Sequence, residues 1–207
     1  RHESLLAVVI SHPHLDHYGL ARYLLPDTQM IMGAATARIL KAAMLFTPVG
    51  VEFKNAVHFK SGKPLSIGPF TITPYLNDHS AYDAYSLLIS ADGQRLFYSG
   101  DFRGHGRKSA LFERFLKRPP PDVDVLLMEG TTIGRSGSAA PFQTEQELEQ
   151  DFVEQFRKAK GMALVWTSGQ NIDRLVTVFK ACKKSGRTLI LDMYTAEILR
   201  ATGNQKL

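Results

Sequence analysis

Apolar positions along the chain follow two periods, and the switches between them mark out its elements. Leu5-Leu6-Ala7-Val8-Val9-Ile10 is an unbroken apolar run, which predicts a buried strand ending at Ser11. Leu15 opens a helical pattern, in which Leu20, Tyr23 and Leu24 predict a short amphipathic helix that Pro26 stops. Gln29 to Met32 predicts a strand, and Ala34 to Phe46 a helix with Ile39, Leu40 and Ala43 on one face. From Val49 to Leu76 the period shortens: Phe70, Ile72 and then Tyr75 alternate with Thr71 and Thr73, and Gly62, Pro64, Gly68, Pro69 and Pro74 punctuate the run. Antiparallel strands joined by turns are expected there. Tyr85 to Ala91 and Gln94 to Ser99 flank Asp92-Gly93, a pair suited to a tight hairpin turn because both of its central positions need positive φ.

The second half changes character. Phe102 to Arg118 carries Arg103, Arg107, Lys108, Arg114, Lys117 and Arg118 against Glu113, which reads as a solvated basic helix that Pro119-Pro120-Pro121 ends. Val123 to Met128 predicts a strand leading to Glu129, and Ile133 to Pro141, rich in Gly, Ser and Ala, reads as a linker. Thr144-Glu145-Gln146-Glu147 is a capping box opening a helix to about Lys160. Met162 to Thr167 then predicts a strand, Asn171 to Ser185 a helix ended by Gly186, and Arg187 to Met193 another strand, an alternation that implies a parallel sheet. The expected boundary falls in the linker, between a unit over 1–132 and an α/β unit over 142–207.

Chemistry concentrates at strand ends. His12, His14, Asp16 and His17 stand within six residues directly after the first apolar run. The hairpin carries Asn77-Asp78-His79-Ser80 before it and Ser99-Gly100-Asp101 after it, so its strands bring His79 and Asp101 to one sheet edge. Three imidazoles, His12, His14 and His79, make a set that holds zinc with an open position for water. Asp16, His17 and Asp101 suit a second ion, with Asp101 between the two. A pair of ions of this kind lowers the pKa of a shared water and clamps both oxygens of a displacement, so hydrolysis is the expected reaction. Zinc suits the imidazole-rich set, and manganese would also suit the carboxylate-containing one. His58, between Val57 and Phe59, reads as a structural strand histidine, and His105 in Gly-His-Gly as a surface-loop residue.

Composition narrows the setting. With 207 residues, 44% of them hydrophobic, the chain can bury a core, and a formal net charge of +5 permits a polyanionic partner. Cys182 is the single cysteine and falls in register with Leu175 and Phe179, so it reads as a packing residue in a chain without internal disulfides, suited to the cytoplasm. No apolar stretch reaches the roughly 18 residues of a membrane span, and no membrane role is expected.

His12-Pro13-His14-Leu15-Asp16-His17 resembles the signature of the metallo-β-lactamase fold, His79 its next single histidine, and Asp101 in Ser-Gly-Asp its bridging aspartate. The resemblance covers residues 5 to 132 and implies an α/β fold, an αββα sandwich that is partial here. It also implies the two ligand sets just named. Leu126-Leu127-Met128-Glu129-Gly130-Thr131 resembles the acidic motif that opens the β-CASP insertion of nucleic-acid-processing members, and Trp166 to Arg174, Lys184 to Thr188 and the strand to Asp192 are similar to its RNase J-like version. Glu129 would then orient a ligand or substrate group near the metals, although a carboxylate capping the strand-to-loop turn is the plainer alternative. All seven histidines lie at or before His105, so the later histidines of the β-CASP group are not in this sequence, and neither are the strands expected before the first motif. An internal piece of a longer protein, incomplete at both ends, is expected.

The resemblance implies a metal-dependent phosphodiesterase, a ribonuclease acting on RNA through a water activated by two ions, with Asp16, Asp101 and Glu129 as its catalytic carboxylates. DNA stands as a second polymer, and a homo-oligomer of the full-length protein as a further expectation. Two alternatives remain: a small-molecule ester or phosphodiester hydrolase of the same fold, and a catalytically silent nucleic-acid-binding subunit.

Overall fold

The computed structural model of the chain describes residues 4–133 and 142–206, so the expected linker falls outside the described residues except for Ile133. A parallel sheet forms from β1 (Val8–Val9), β2 (Met30–Gly33) and β3 (Ala56–Phe59), in the order β1-β2-β3. A second sheet holds β4 (Leu65–Ile67), β5 (Phe70–Leu76), β6 (Tyr85–Ala91), β7 (Gln94–Tyr98) and β8 (Val125–Leu127) in sequence order. Its first four strands are antiparallel, and β8 joins β7 in parallel.

The sheets face one another across Ile31, Phe59, Ile72, Tyr85 and Leu87, with Val9, Leu76 and Tyr98 packed against them. Burying apolar area of this kind, at about 25 cal/mol per Å², is what holds two sheets face to face. On the outer side of the parallel sheet lie α1 (Leu15–Tyr18) and α2 (Ala34–Ala43), closing over Ile10, Tyr18, Met30, Met32 and Leu40. On the far side, α3 (Ser109–Lys117) sets Phe115 against Phe97 and Tyr75, at ring separations of 5.1 and 6.1 Å. The layers therefore run helix, sheet, sheet, helix, as the resemblance implied.

Several elements differ from the periodicity reading. Only Val8–Val9 of the first apolar run forms a ladder, and Leu5 and Leu6 are 46% and 44% exposed. The short amphipathic helix expected before Pro26 gives way to a 3-10 turn over Ala21–Tyr23, with Leu20 and Tyr23 exposed while Ala21 and Leu24 pack against the cluster of Ile10, Met30 and Leu40. One turn of chain before Pro26 is too short to propagate a regular helix. The strands between Val49 and Leu76 are not all antiparallel: β3 runs parallel to β2, because α2 carries the chain back to the starting edge before it begins. In contrast, the hairpin closes at Ala91↔Gln94 with Asp92 at φ 48° and Gly93 at φ 77°.

Residues 142–206 form α4 (Glu145–Lys158), α5 (Ile172–Ser185) and α6 (Met193–Ala201). The capping box at Thr144 and Glu147 is present, Asn171 caps α5, and Gly186 ends it at φ 70°. The predicted parallel sheet is not. Met162–Thr167 and Arg187–Met193 join no ladder among the described residues, and α6 begins where the second run was expected to end. Both runs keep a two-residue period of exposure, with Ala163, Val165 and Leu189 packed on the α4–α5 core and Leu164, Trp166 and Ile190 facing solvent. The helices satisfy one side of each run, which accounts for the alternation in sequence without strand pairing.

Cys182 is buried in that core beside Val178 and Ala181, not Phe179, and burial raises its thiol pKa. These helices also pack on the first half: Ile39 and Ala42 of α2 share a cluster with Ile172, Leu175, Ile198 and Ala201. Among the described residues no helix is long and apolar enough to cross a membrane.

Candidate metal centre

The cluster residues reach one edge from three strand ends: His12, His14, Asp16 and His17 after β1, His79 after β5 and Asp101 after β7. Ile10 still donates to the Ile31 carbonyl (2.8 Å), and the Ser11 carbonyl accepts from Tyr85 N (3.1 Å), so the chain bridges the two sheets immediately before His12. His79 lies in the connection between Leu76 and Tyr85, the last register pair of β5 and β6. Asp101 follows β7 through Gly100, which sits at φ 57° and so close to the sheet that an added Cβ would lie 2.7 Å from the Tyr85 carbonyl oxygen. Only glycine makes that turn without strain, and the Ser-Gly-Asp motif has a geometric reason.

Two overlapping groups result. His12, His14, His79 and Asp101 can each offer one ligand atom, and so can Asp16, His17 and Asp101, all the atoms of a group lying within 4.8 Å of one another. Asp101 belongs to both: its Oδ2 is 3.8 Å from His12 Nε2 and 4.0 Å from His79 Nε2, and its Oδ1 is 3.3 Å from His17 Nε2. His14 Nδ1 and His79 Nε2 stand 3.1 Å apart. Ser11 Oγ lies 3.1 Å from His12 Nδ1 and 3.4 Å from His17 Nδ1, which turns the opposite nitrogen of each ring towards Asp101. Glu129 is separate from both groups. Its Oε1 accepts from Phe102 N (2.6 Å) and its own N–H donates to Ser99 Oγ (3.0 Å), which braces the chain on either side of Asp101.

The electrostatics favour a cation. Burial, and then the neighbouring His79, His17 and His14 rings, lowers the pKa of His12 to about 2, while burial and the His14 ring bring His79 down to about 3. Burial also lowers His14. Imidazoles held neutral keep a free lone pair, the state in which they ligate metals. Asp101 is raised by burial, against the pull of His17. His12 Nε2 is fully buried and has no hydrogen-bond partner among the described residues. A buried polar atom left unsatisfied beside three other ring systems and a carboxylate fits a metal ligand, and the donor set of nitrogen and carboxylate oxygen fits zinc or manganese.

The remaining candidates lie elsewhere. His58 is exposed on β3. His105 is half-buried, stacked on Phe142 at 5.3 Å, and its carbonyl accepts from Glu145 N, so it is not a free surface-loop residue. The basic segment divides: Arg114, Lys117 and Arg118 are exposed, whereas Arg103, Arg107 and Lys108 turn inward to Asp173, Glu149 and Glu145. Nothing in the sequence marks Asp173 and Glu145 as their partners, because a buried acid looks the same there as a solvated one. A cavity of about 490 Å³ between α3 and the sheet is walled by Tyr75, Phe97, Phe112, Phe115 and Met128, too apolar to take a phosphodiester.

Comparison with known proteins shows the family of the chain. The model of the beta-lactamase superfamily domain matches residues 1–167. The chain is 25% identical over 194 residues to Ribonuclease J of Sinorhizobium meliloti, covering 91% of this chain and 34% of that protein. It is 25% identical over 180 residues to Ribonuclease J of Helicobacter pylori (84% and 26%) and 24% identical over 190 residues to that of Mycoplasma genitalium (89% and 33%). The chain thus spans about a quarter to a third of the length of these relatives. Among solved structures, a protein of unknown function from Enterococcus faecalis V583 matches with a TM-score of 0.79 at 24% identity, over 96% of this chain and 49% of that one. That likeness concerns the fold.

Proposed function

We propose, for a chain that belongs to the beta-lactamase superfamily and has an RNase J-like metallo-β-lactamase fold, that its hydrolase activity is metal-dependent cleavage of phosphodiester bonds in RNA. The observation that carries the reading is the pair of ligand groups meeting on Asp101. His12, His14 and His79 would hold one ion and Asp16 and His17 a second, with Asp101 shared. When bound, such ions acidify water and neutralise charge on phosphoryl oxygens.

The chain's own residues supply the rest. Burial keeps the His12 and His79 rings unprotonated, and Ser11 fixes which ring nitrogen faces Asp101. Glu129 ties down the Phe102 N–H and so sets the direction in which Asp101 leaves its turn, an orienting role rather than contact with substrate. The Ribonuclease J relatives support RNA as the polymer, and the sequence similarity from Trp166 onward supports a β-CASP-type second unit over 142–207. A cytoplasmic setting suits this role.

The test uses the full natural chain, loaded with zinc or manganese, and end-labelled single-stranded RNA, beside an Asp101→Ala variant and a chelated sample. Breakdown that needs both the metal and Asp101, with a loss of roughly 100-fold or more in the variant, is expected. RNA left intact while a small phosphodiester is hydrolysed with the same dependence would replace this reading with a small-molecule hydrolase.

A further inference from the structure

We propose that Asp173, on the first turn of α5, is a positioning residue that lets the second unit set the spacing of the metal ligands His79 and Asp101. The inference rests on the cluster being a metal centre. These two ligands differ from His12, His14 and His17 in coming from long connections, after β5 and after β7, which strand pairing alone does not hold.

The two connections are bonded chiefly to one another. Arg103 N donates to the Asp78 carbonyl (2.7 Å), Gly106 N to Asp78 Oδ2 (2.8 Å), and Lys108 Nζ to the His79 and Ala81 carbonyls (3.0 and 3.2 Å). Asn77 Nδ2 reaches across to the Asp101 carbonyl at 3.2 Å. At the centre is Asp78, fully buried, whose Oδ1 has no hydrogen-bond partner among the described residues. It faces Arg103 Nε, likewise unbonded, at 3.8 Å.

What aims Arg103 at Asp78 comes from outside both connections. Asp173, buried at 6% exposure, accepts from Arg103 Nη2 (2.6 Å) and from Arg107 N (3.0 Å), and its Oδ1 lies 4.0 Å from Lys108 Nζ. One carboxylate therefore touches three residues of the connection that follows Asp101, two of which grip the connection that carries His79. Glu145 stands behind it, 3.6 Å from Arg103 Nη1. Charge-assisted bonds in a site closed to water are short and directional, so losing this one lets Arg103 turn away and leaves the Asp78 carboxylate uncompensated. Asp173 touches no ligand itself. Its effect reaches the metals through the backbone of residues 78–81 and 101–108.

The experiment compares the full natural protein with Asp173→Asn, Arg103→Lys and Glu149→Gln. Glu149 is an equally buried acid of the same interface whose partners are the Arg107 side chain and Lys184. Zinc affinity is measured by competition with a chromophoric chelator, alongside the thermal unfolding of each metal-free protein. The expected result is zinc binding weakened roughly 10- to 100-fold in Asp173→Asn, in the range seen when an outer-shell partner is lost. Arg103→Lys, which keeps the charge and drops the fork, should weaken binding by a smaller factor and serves if Asp173→Asn does not fold. Glu149→Gln should bind within about twofold of the natural protein even where its unfolding temperature falls, because Arg107, its contact in the connection after Asp101, stays held by Thr177 Oγ1 (3.0 Å) and through its N–H by Asp173 (3.0 Å). Natural affinity in Asp173→Asn and Arg103→Lys would overturn the inference while leaving the metal centre standing. A natural protein that takes up no zinc would overturn both, which separates the two failures.

Discussion

Glu129 tests, at the scale of a single residue, how far positioning reaches around Asp101. Its carboxylate is engaged by the Phe102 N–H at 2.6 Å, so Glu129→Gln, which retains an acceptor oxygen, should change zinc affinity by no more than about threefold, whereas Glu129→Ala should weaken it by roughly tenfold. Chelator competition distinguishes them, and equal effects of the two would argue for a charge role instead. The histidines make a second prediction. His12 and His79 titrate near 2 and 3 in the fold and near 6.5 when unfolded, so between those values the unfolded chain binds protons that the folded chain does not. Metal-free protein should accordingly carry no penalty from these rings above pH 6.5 and lose stability as the pH falls from there towards 3, by roughly 1.4 kcal/mol per pH unit for each imidazole. Urea unfolding across that range measures it, and a flat profile would mean the rings are not held neutral. The identities of these residues were legible because imidazoles and carboxylates crowded at a strand end are rare. Their burial was not, since it depends on what the rest of the chain lays over them.

At the scale of elements, the turn before Asp101 is the sharpest constraint. Gly100→Ala places a β-carbon in a left-handed backbone and against the Tyr85 carbonyl, so a loss of at least about 1 kcal/mol is expected in urea unfolding, with weaker zinc binding as Asp101 is displaced. Unchanged stability would show that the turn relaxes freely. Elements governed by local chemistry were readable in advance: the Asp92-Gly93 hairpin, the Thr144 capping box and the Gly186 stop each rest on residues within a few positions of one another. Elements that depend on a neighbour were not. The run from Arg187 alternates like a strand, yet Asp192 accepts from Thr195 N (2.8 Å) and starts a helix, a cap the residue pattern contained and the longer alternation masked. The 3-10 turn at Ala21–Tyr23 shows the reverse case, an amphipathic pattern of which the fold covers Ala21 and Leu24 and leaves Leu20 and Tyr23 in solvent.

For the molecule as a whole, the ionic seam between the halves carries a testable load. Glu145 is 1% exposed, accepts from Arg174 Nε (3.1 Å) and Thr177 Oγ1 (2.7 Å) and lies 3.6 Å from Arg103 Nη1, so Glu145→Ala takes a compensating carboxylate from two guanidinium groups, of which that of Arg103 is largely buried. A loss of roughly 3 kcal/mol is expected from chemical denaturation, and a loss below about 1 kcal/mol would show that water enters and replaces the carboxylate. Taken alone, the sequence determined the crowding of imidazoles and carboxylates and the sheet edge where His12, His14, His79 and Asp101 gather, because alternation and turn residues act through short-range sterics, while the layered class of the fold came through the resemblance of those motifs to a known family. Only the tertiary structure decided which nitrogens face Asp101, that Arg103, Arg107 and Lys108 turn inward to buried acids, and that the runs around Val165 and Leu189 pack on helices without pairing. Those outcomes depend on desolvation and on partners many residues away, and a charge or an apolar side chain carries no mark of its eventual neighbour until the chain has closed around it.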